Sequence, residues 1–344
     1  MNNNFFKKRI LIGEKFIGEN EPVFIIAEAG VSHFGEIEKC YKLVDLAVEA
    51  KADAIKFQIF DINSFITKES KDWYDRMKSR SLGIHDYEKV QKYCIKKRII
   101  FFLTAHDEKS FKEVIKLDPP LFKIGSGEVQ NIKFVRNIFK SCNKPVLYST
   151  GMHSINDIKQ VIKLCKKLKK KDVVFMQCTS TYPTKLKNVN LNTIDFYKDK
   201  ISSIVGYSDH TEGMDVPMLA VAKGAKVIEK HISLDFNVKN AQDWKVSCGP
   251  KNLKEFVLKL RKVEESLGSY EKIITEEEYD SLLWARKSIV VSKNIEKNKI
   301  LKLKHLTSKR PGTGISPILL KDVIGKRTKL KIEKDTILEW EMLN

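Results

Sequence analysis

Two lysines stand where an ammonium group is costly. Lys56 in "AIKFQ" and Lys123 in "LFKIGSG" each interrupt a strand-like apolar run, and a charge buried in such a run is unfavourable unless it faces an anion. Two histidines also end apolar runs: His210 in "GYSDHTEG" and, twenty-one residues later, His231 in "VIEKHISLD". A lone histidine on an apolar segment is usually a satisfied core or surface group, so that pair needs context. The "GSG" before Glu128 lets backbone N–H groups approach a ligand closely, although two glycines alone are a weak signal.

The elements that would carry these residues alternate regularly. Short β-branched or aromatic runs occur at 23–30, 53–60, 99–107, 121–128, 145–152, 173–181, 202–210 and 226–235. Between them lie stretches with helical spacing, such as Ile37, Cys40, Leu43, Val44 and Ala47, or Ile155, Ile158, Val161, Ile162 and Cys165. Continuous apolar strands alternating with helices imply a covered parallel sheet, and eight such units predict a closed (β/α)₈ TIM barrel. Catalytic groups of that fold sit at the carboxyl ends of the strands. The runs end in Glu28, Lys56 with Gln58, Thr104, Lys123 with Ser126 and Glu128, Ser149 with Thr150, Cys178 with Thr179, Ser208 with Asp209 and His210, and Glu229 with His231. Polar groups at strand ends are ordinary one by one; convergence on one rim is what the fold would add.

The first twenty residues read as a hairpin that turns at Gly18-Glu19-Asn20 and closes the barrel floor. A last barrel helix is expected around 251–267, then a connector at 268–284 and a small β-rich domain at 285–344 with turn signals at Pro311-Gly312 and Gly314. The barrel domain spans 1–267.

The formal charge of +19 would suit a nucleic-acid partner. The lysines are instead spread over nearly every predicted helix face, with no aromatic-interleaved basic module, so a solvated surface that steers an anionic substrate is expected and nucleic acid is not. Six cysteines without metal-like spacing point to reduced, buried thiols. No apolar run approaches the ~20 residues of a membrane span, and the start lacks an apolar signal core. The expected compartment is the cytoplasm, with no membrane partner.

In order along the chain, "IIAEAGVSHFGE", "IKFQ", "FKIGSGE", "YSTGM", "CTSTYPT", "GYSDHT", "EKHISLD" and "KRPGTGI" resemble the N-acetylneuraminate (sialic acid) synthase family, and the C-terminal part resembles its antifreeze-like, SAF-type domain. The resemblance implies condensation of phosphoenolpyruvate with the aldehyde form of an N-acetylated amino sugar, giving a 3-deoxy-2-keto sugar acid and phosphate, with Mn²⁺ or Mg²⁺ as cofactor. It implies that His210 and His231 bind the metal, and that Lys56, Gln58, Thr104, Lys123, Ser126, Ser149 and Ser208 hold phosphoenolpyruvate. By spacing alone the serines read equally as helix-capping hydroxyls. Glu128, Asp243 and Tyr182 would contact the sugar. Glu28 would be an acid/base near the metal, or merely the ion-pair partner of Lys56 or Lys123. Arg310 would reach the N-acetyl group in a neighbouring subunit's site, which implies a domain-swapped homodimer; alone it reads as a surface arginine before a turn proline.

Two segments depart from the family pattern. "SHFG" places Ser32 and Phe34 where polar amides are common, keeping His33 and Gly35, and "NAQDWKVS" keeps Asp243 and Ser247 but lacks Gly-Pro and introduces Trp244. The acceptor is therefore open between N-acetylmannosamine and a di-acetamido trideoxy hexose. A metal-dependent barrel aldolase with a non-sialic acceptor is the alternative.

Overall fold

A computed structural model of the chain describes residues 5–201, 203–239, 241 and 243–344. Two compact units divide it, Met1–Gly268 and Ser269–Asn344.

The first unit opens with an antiparallel hairpin, β1 (Arg9–Ile12) and β2 (Lys15–Gly18). The eight apolar runs then form β3 (Phe24–Gly30), β4 (Ala54–Ile59), β5 (Ile100–Ala105), β6 (Phe122–Ile124), β7 (Val146–Ser149), β8 (Val173–Cys178), β9 (Val205–Asp209) and β10 (Val227–His231). They close a parallel barrel in the order β10-β3-β4-β5-β6-β7-β8-β9. Both faces of these strands are buried, which is why their sequences run apolar without alternation. Outward residues such as Ile25, Ala27, Ile55, Phe57, Phe101 and Leu103 belong to the core shared with the helices. Phe24, Ile26, Ala54, Phe102, Leu147, Val174, Met176 and Val227 make a second core inside the barrel.

Ile10, Ile12 and Ile17 of the hairpin join that inner core, so the hairpin stoppers the amino-terminal end of the barrel. Its turn is not at Gly18-Glu19-Asn20. Ile12 pairs with Lys15, and Gly13, with φ +58°, makes a two-residue connection with Glu14. Gly18 is needed for proximity: a Cβ there would lie 2.9 Å from the Lys8 carbonyl oxygen. Helix Ile37–Glu49 buries Cys40, Leu43, Val44 and Ala47 as the spacing predicts. Helix Ile155–Leu168 buries Ile158, Val161 and Cys165, but Ile155 is exposed, because it follows the Ser154 cap before the stripe has turned toward the sheet.

The second unit pairs β11 (Ser288–Val291) with β12 (Leu306–Lys309) antiparallel. Short bridges such as Ile295 to Ile332 and Thr328 to Leu343 surround a core of Ile289, Val291, Leu301, Ile315, Val323 and Leu338. The expected connector is not bare chain: it contains the helix Tyr279–Ala285, and the Leu283 carbonyl accepts from Gly312 N–H at 2.8 Å. Among the described residues no helix is long and apolar enough to cross a membrane.

Ile12 is fully buried in the barrel floor. Ile12→Ala is expected to destabilise the fold by about 2–5 kcal/mol, read as a lowered denaturant midpoint; an unchanged midpoint would mean that the hairpin is not part of the cooperative core.

Candidate active site

Followed toward the carboxyl ends of the strands, the inward rows change from apolar to polar. Phe24 and Ile26 give way to Glu28, Ala54 to Lys56 and Gln58, Phe102 to Thr104, Leu147 to Ser149, and Val227 to Glu229 and His231. A cavity of about 520 Å³ opens there. Glu28, Lys56, Gln58, Thr104, Lys123, Ser126, Ser149, Tyr182, Ser208, His210, His231 and Asp243 all line it. Glu128 stands aside, its carboxylate accepting from Asn131 Nδ2 at 2.7 Å. Arg310 lies in the second unit, its guanidinium 5.5 Å from the centre of the Trp284 ring.

Four charged side chains meet below the rim. Lys56 Nζ lies 2.8 Å from Glu28 Oε2 and 3.5 Å from Glu229 Oε2, and Lys123 Nζ lies 3.0 Å from Glu229 Oε1. Thr104 accepts from Lys56 at 3.1 Å, Gln58 Nε2 donates to Glu28 at 2.8 Å, and Ser208 Oγ donates to Glu229 at 2.9 Å. All four charged groups are nearly inaccessible to solvent. Their titrations diverge. Burial raises the Glu28 carboxyl despite Lys56, with the Glu229 charge adding to the rise. Burial pushes Glu229 the same way, but Lys123 and Lys56 outweigh it and hold it well below the usual carboxylate range. Burial lowers Lys123, whereas at Lys56 it is outweighed by Glu229 and Glu28, which keep that ammonium charged. Two carboxylates driven apart in this way differ in how readily they take a proton, Glu28 more and Glu229 less.

None of the three serines caps a helix. Ser126 Oγ accepts from Gly151 N–H at 3.0 Å, Ser208 serves Glu229, and Ser149 Oγ is buried without a protein partner.

His210 and His231 face each other with ring centroids 5.3 Å apart. His210 Nδ1 donates to the Thr179 carbonyl at 2.8 Å, which leaves Nε2 as an acceptor for the Tyr182 hydroxyl at 2.9 Å. His231 Nδ1 is buried with no partner, and burial holds that ring neutral, its pKa lowered to about 3. At His210 burial is outweighed by Cys178, whose Sγ lies 3.6 Å from Nδ1, and the pKa is raised. An orphaned imidazole nitrogen on His231, with the His210 ring 5.3 Å away, fits a first-row divalent ion if His210 Nε2 exchanges the Tyr182 hydroxyl for it. Among the described residues no group of three or more His, Cys, Asp or Glu is arranged to hold a metal, so an ion there would complete its coordination from substrate and water.

The residues just before these histidines are locked together on the opposite face. Lys230 and Asp209 are cross-strand partners, bonded at 2.6 Å. Asp209 Oδ1 accepts from Tyr207 and from both N–H and Oγ1 of Thr211, and the Thr211 carbonyl accepts from Lys230 at 2.8 Å. The side-chain period of two sends each histidine inward only while its neighbour points outward. This ion pair therefore fixes the register of both strand ends.

The departures have local reasons. Phe34 sits under two cations, Lys39 and Arg80, each 5.2 Å from its ring centre. His33 accepts from Gly35 N–H and bonds Tyr87, whose hydroxyl donates to the Gln58 carbonyl at 2.8 Å, bracing the strand that carries Lys56. Within "NAQDWKVS", Asn240 and Gln242 lie outside the described residues; Trp244 Nε1 donates to the Val238 carbonyl, and Ser247 Oγ to that of Asp243.

Several lining residues escaped sequence reasoning. Glu229, named in the sequence only as a strand-end polar group, was given no role, although the signal was available: a carboxylate in an apolar strand, two residues before His231 and so on the same face. His106, Phe65, Trp73, Arg76, Met77 and Arg80 also line the cavity. The last five come from a helical excursion after β4 that no strand or barrel-helix pattern marks.

A closed parallel barrel with a polar, charge-paired cavity at the carboxyl ends of its strands, in a chain with a small β-rich second unit, has the layout of a barrel enzyme. Residues 43–272 match the NeuB family and residues 286–344 the SAF domain, and the chain belongs to the NeuB family of sialic acid-type synthases. It is 33% identical to the N,N'-diacetyllegionaminic acid synthase of Campylobacter jejuni, over 92% of this chain and 99% of that one. It is also 33% identical to the human N-acetylneuraminate-9-phosphate synthase, over 96% of this chain and 95% of that one. The crystal structure of the N-acetylneuraminic acid synthetase of Leptospira borgpetersenii in complex with citrate is similar at a TM-score of 0.75 and 32% identity, covering 80% of this chain and 95% of that one.

Lys230→Met leaves Asp209 buried without its cation and is expected to cost about 3–5 kcal/mol. The double variant Lys230→Met/Asp209→Asn should recover part of that loss in equilibrium denaturation. Equal stability of the single variant and the wild type would show that the pair does not hold the strand ends.

Proposed function

We propose that this chain condenses phosphoenolpyruvate with the open aldehyde form of an N-acetylated amino sugar, releasing phosphate and a 3-deoxy-2-keto sugar acid. The observation that carries this reading is the cavity itself: two buried ammonium groups, Lys56 and Lys123, share it with a facing pair of histidines. Phosphoenolpyruvate brings a phosphate and a carboxylate, whose charge replaces what burial denies the lysines. Thr104, Ser126, Ser149 and Ser208 add short donors that fix one pose. Asp243 and Tyr182 stand beside the histidines, where sugar hydroxyls and the amide would bind, and Glu128 would join them only by turning from Asn131.

His210 and His231 would hold a divalent ion, Mn²⁺ or Mg²⁺, which when bound supplies Lewis-acid polarisation of the aldehyde oxygen. Glu28, driven toward its protonated form beside Lys56, is placed to give or take a proton at the reacting carbons. Glu229 stays ionised and holds both lysines in position. Water adds at C2 and supplies the keto oxygen of the product, and Lys56 and Lys123 stabilise negative charge as phosphate departs with its bridging oxygen.

Relatives with different acceptors stand at the same identity to this chain, so the acceptor is read as either N-acetylmannosamine or a di-acetamido trideoxy hexose. Arg310 is read as contacting the acceptor's N-acetyl group in the site of a second copy, its planar fork suited to a carbonyl. The proposed assembly is a homodimer in the cytoplasm.

Phosphate release from phosphoenolpyruvate with Mn²⁺ should depend on one sugar in a panel of N-acetylmannosamine, its 6-phosphate and di-acetamido trideoxy hexoses. It should vanish in His231→Ala and on chelation. Release with no member of the panel from folded, metal-loaded protein would refute these acceptors. A second outcome addresses assembly: separately inactive His231→Ala and Arg310→Ala proteins, exchanged into mixed dimers, should regain part of the activity. No recovery after verified exchange would place Arg310 in its own subunit's site or outside any site.

A further inference from the structure

His106 belongs to none of the groups assigned so far. It follows β5 by one residue and lies two beyond Thr104, so the period of two keeps it on the inward side. Its backbone N–H donates to the Ile59 carbonyl at 3.1 Å, extending the register with β4. The half-buried ring stacks on Phe65, centroids 4.9 Å apart and planes 26° apart, which fixes its plane. Nε2 is closed off from solvent and has no hydrogen-bond partner in the protein. A Cβ built on Gly125 would lie 3.7 Å from Cε1, so the edge carrying Nε2 adjoins the Gly125–Gly127 loop that lines the cavity.

An unpaired buried polar atom on a residue that lines a cavity calls for a ligand atom to complete it. Burial, reinforced by Lys56 and Lys123, lowers the ring's pKa to about 3, so it offers a neutral N–H. Its place in the barrel order says which ligand. β5, which itself carries Thr104, lies three strands from β10 and four from β9, across the rim from His231 and His210 and between the strands that carry Lys56 and Lys123. On the proposed reading the group held on that side is the anion, and a phosphate has more acceptor oxygens than a carboxylate for the donors gathered there.

We propose that His106 donates a hydrogen bond from Nε2 to a phosphate oxygen of phosphoenolpyruvate and is a further substrate-binding residue of this enzyme. This rests on the reading of phosphoenolpyruvate as substrate.

Three substitutions separate shape from donor. Phe keeps the stack on Phe65 and removes the N–H; Gln loses the ring but carries an amide N–H to the Nε2 position; Asn carries one only as far as Nδ1. His106→Phe and His106→Asn should raise the KM for phosphoenolpyruvate roughly tenfold or more, leaving the KM for the sugar unchanged, and His106→Gln should restore most of the loss. In Mg²⁺-loaded protein saturated with phosphoenolpyruvate, the ³¹P resonance of the bound ligand should shift between wild type and His106→Phe. Wild-type kinetics in the Phe variant, a change confined to the sugar KM, or an unmoved ³¹P resonance would each overturn the assignment. Failure of the underlying reading looks different: the wild type itself would then bind no phosphoenolpyruvate.

Discussion

Four ionisable groups share the upper interior of the barrel, and none of them is tolerable there alone. The desolvation cost of a buried ion is several kcal/mol, so Lys56 and Lys123 require Glu28 and Glu229, and the carboxylates require the lysines. Much of the architecture follows from meeting that constraint on four different strands. Parallel register brings Glu28 opposite Lys56 and Ser208 opposite Glu229, and closure of the barrel brings β3, β4, β6 and β10 around one point. An open sheet with the same strands would leave Lys123 and Glu229 far apart, since β6 and β10 are not neighbours in the order.

The network is balanced in a way that serves binding. Two cations and two carboxyls sit together, but one carboxyl is driven toward its neutral form by burial and by the other's charge. The site is already desolvated. An anion entering it displaces little protein structure, because Thr104 holds Lys56 while Gln58 and Ser208 hold the carboxylates that pair with the lysines. The histidine pair shares this economy. Its orientation is set from behind by Asp209 and Lys230, in the outer layer of the barrel, where no ligand reaches.

The barrel was legible because eight apolar runs at regular spacing have few other solutions, and the lysines because a charge in such a run demands a partner. The same logic applied to "VIEKHIS" leads to Glu229, yet the adjacent histidine drew attention to the strand's last residue instead. Strand period, rather than residue type, was the cue. The hairpin turn was misplaced because Gly18-Glu19-Asn20 has the composition of a turn, while Gly13-Glu14 has the geometry; a glycine can be present for close backbone approach as readily as for a positive φ. His106 was within reach of the same period, two residues beyond Thr104, but the wall of Phe65, Trp73 and Arg76 was not, since its place in the cavity depends on how the segment after β4 folds over the rim. Spacing carries no information about that.

The isoleucines of the floor bear on more than stability. A vessel stoppered at one end has a single doorway, so whatever rests against the lysines arrives past the rim and departs by the same route. When two molecules share such a vessel, the deeper one is necessarily first in and last out. The sequence of arrivals is then imposed by Ile10, Ile12 and Ile17, at the end of the barrel remote from every reacting atom.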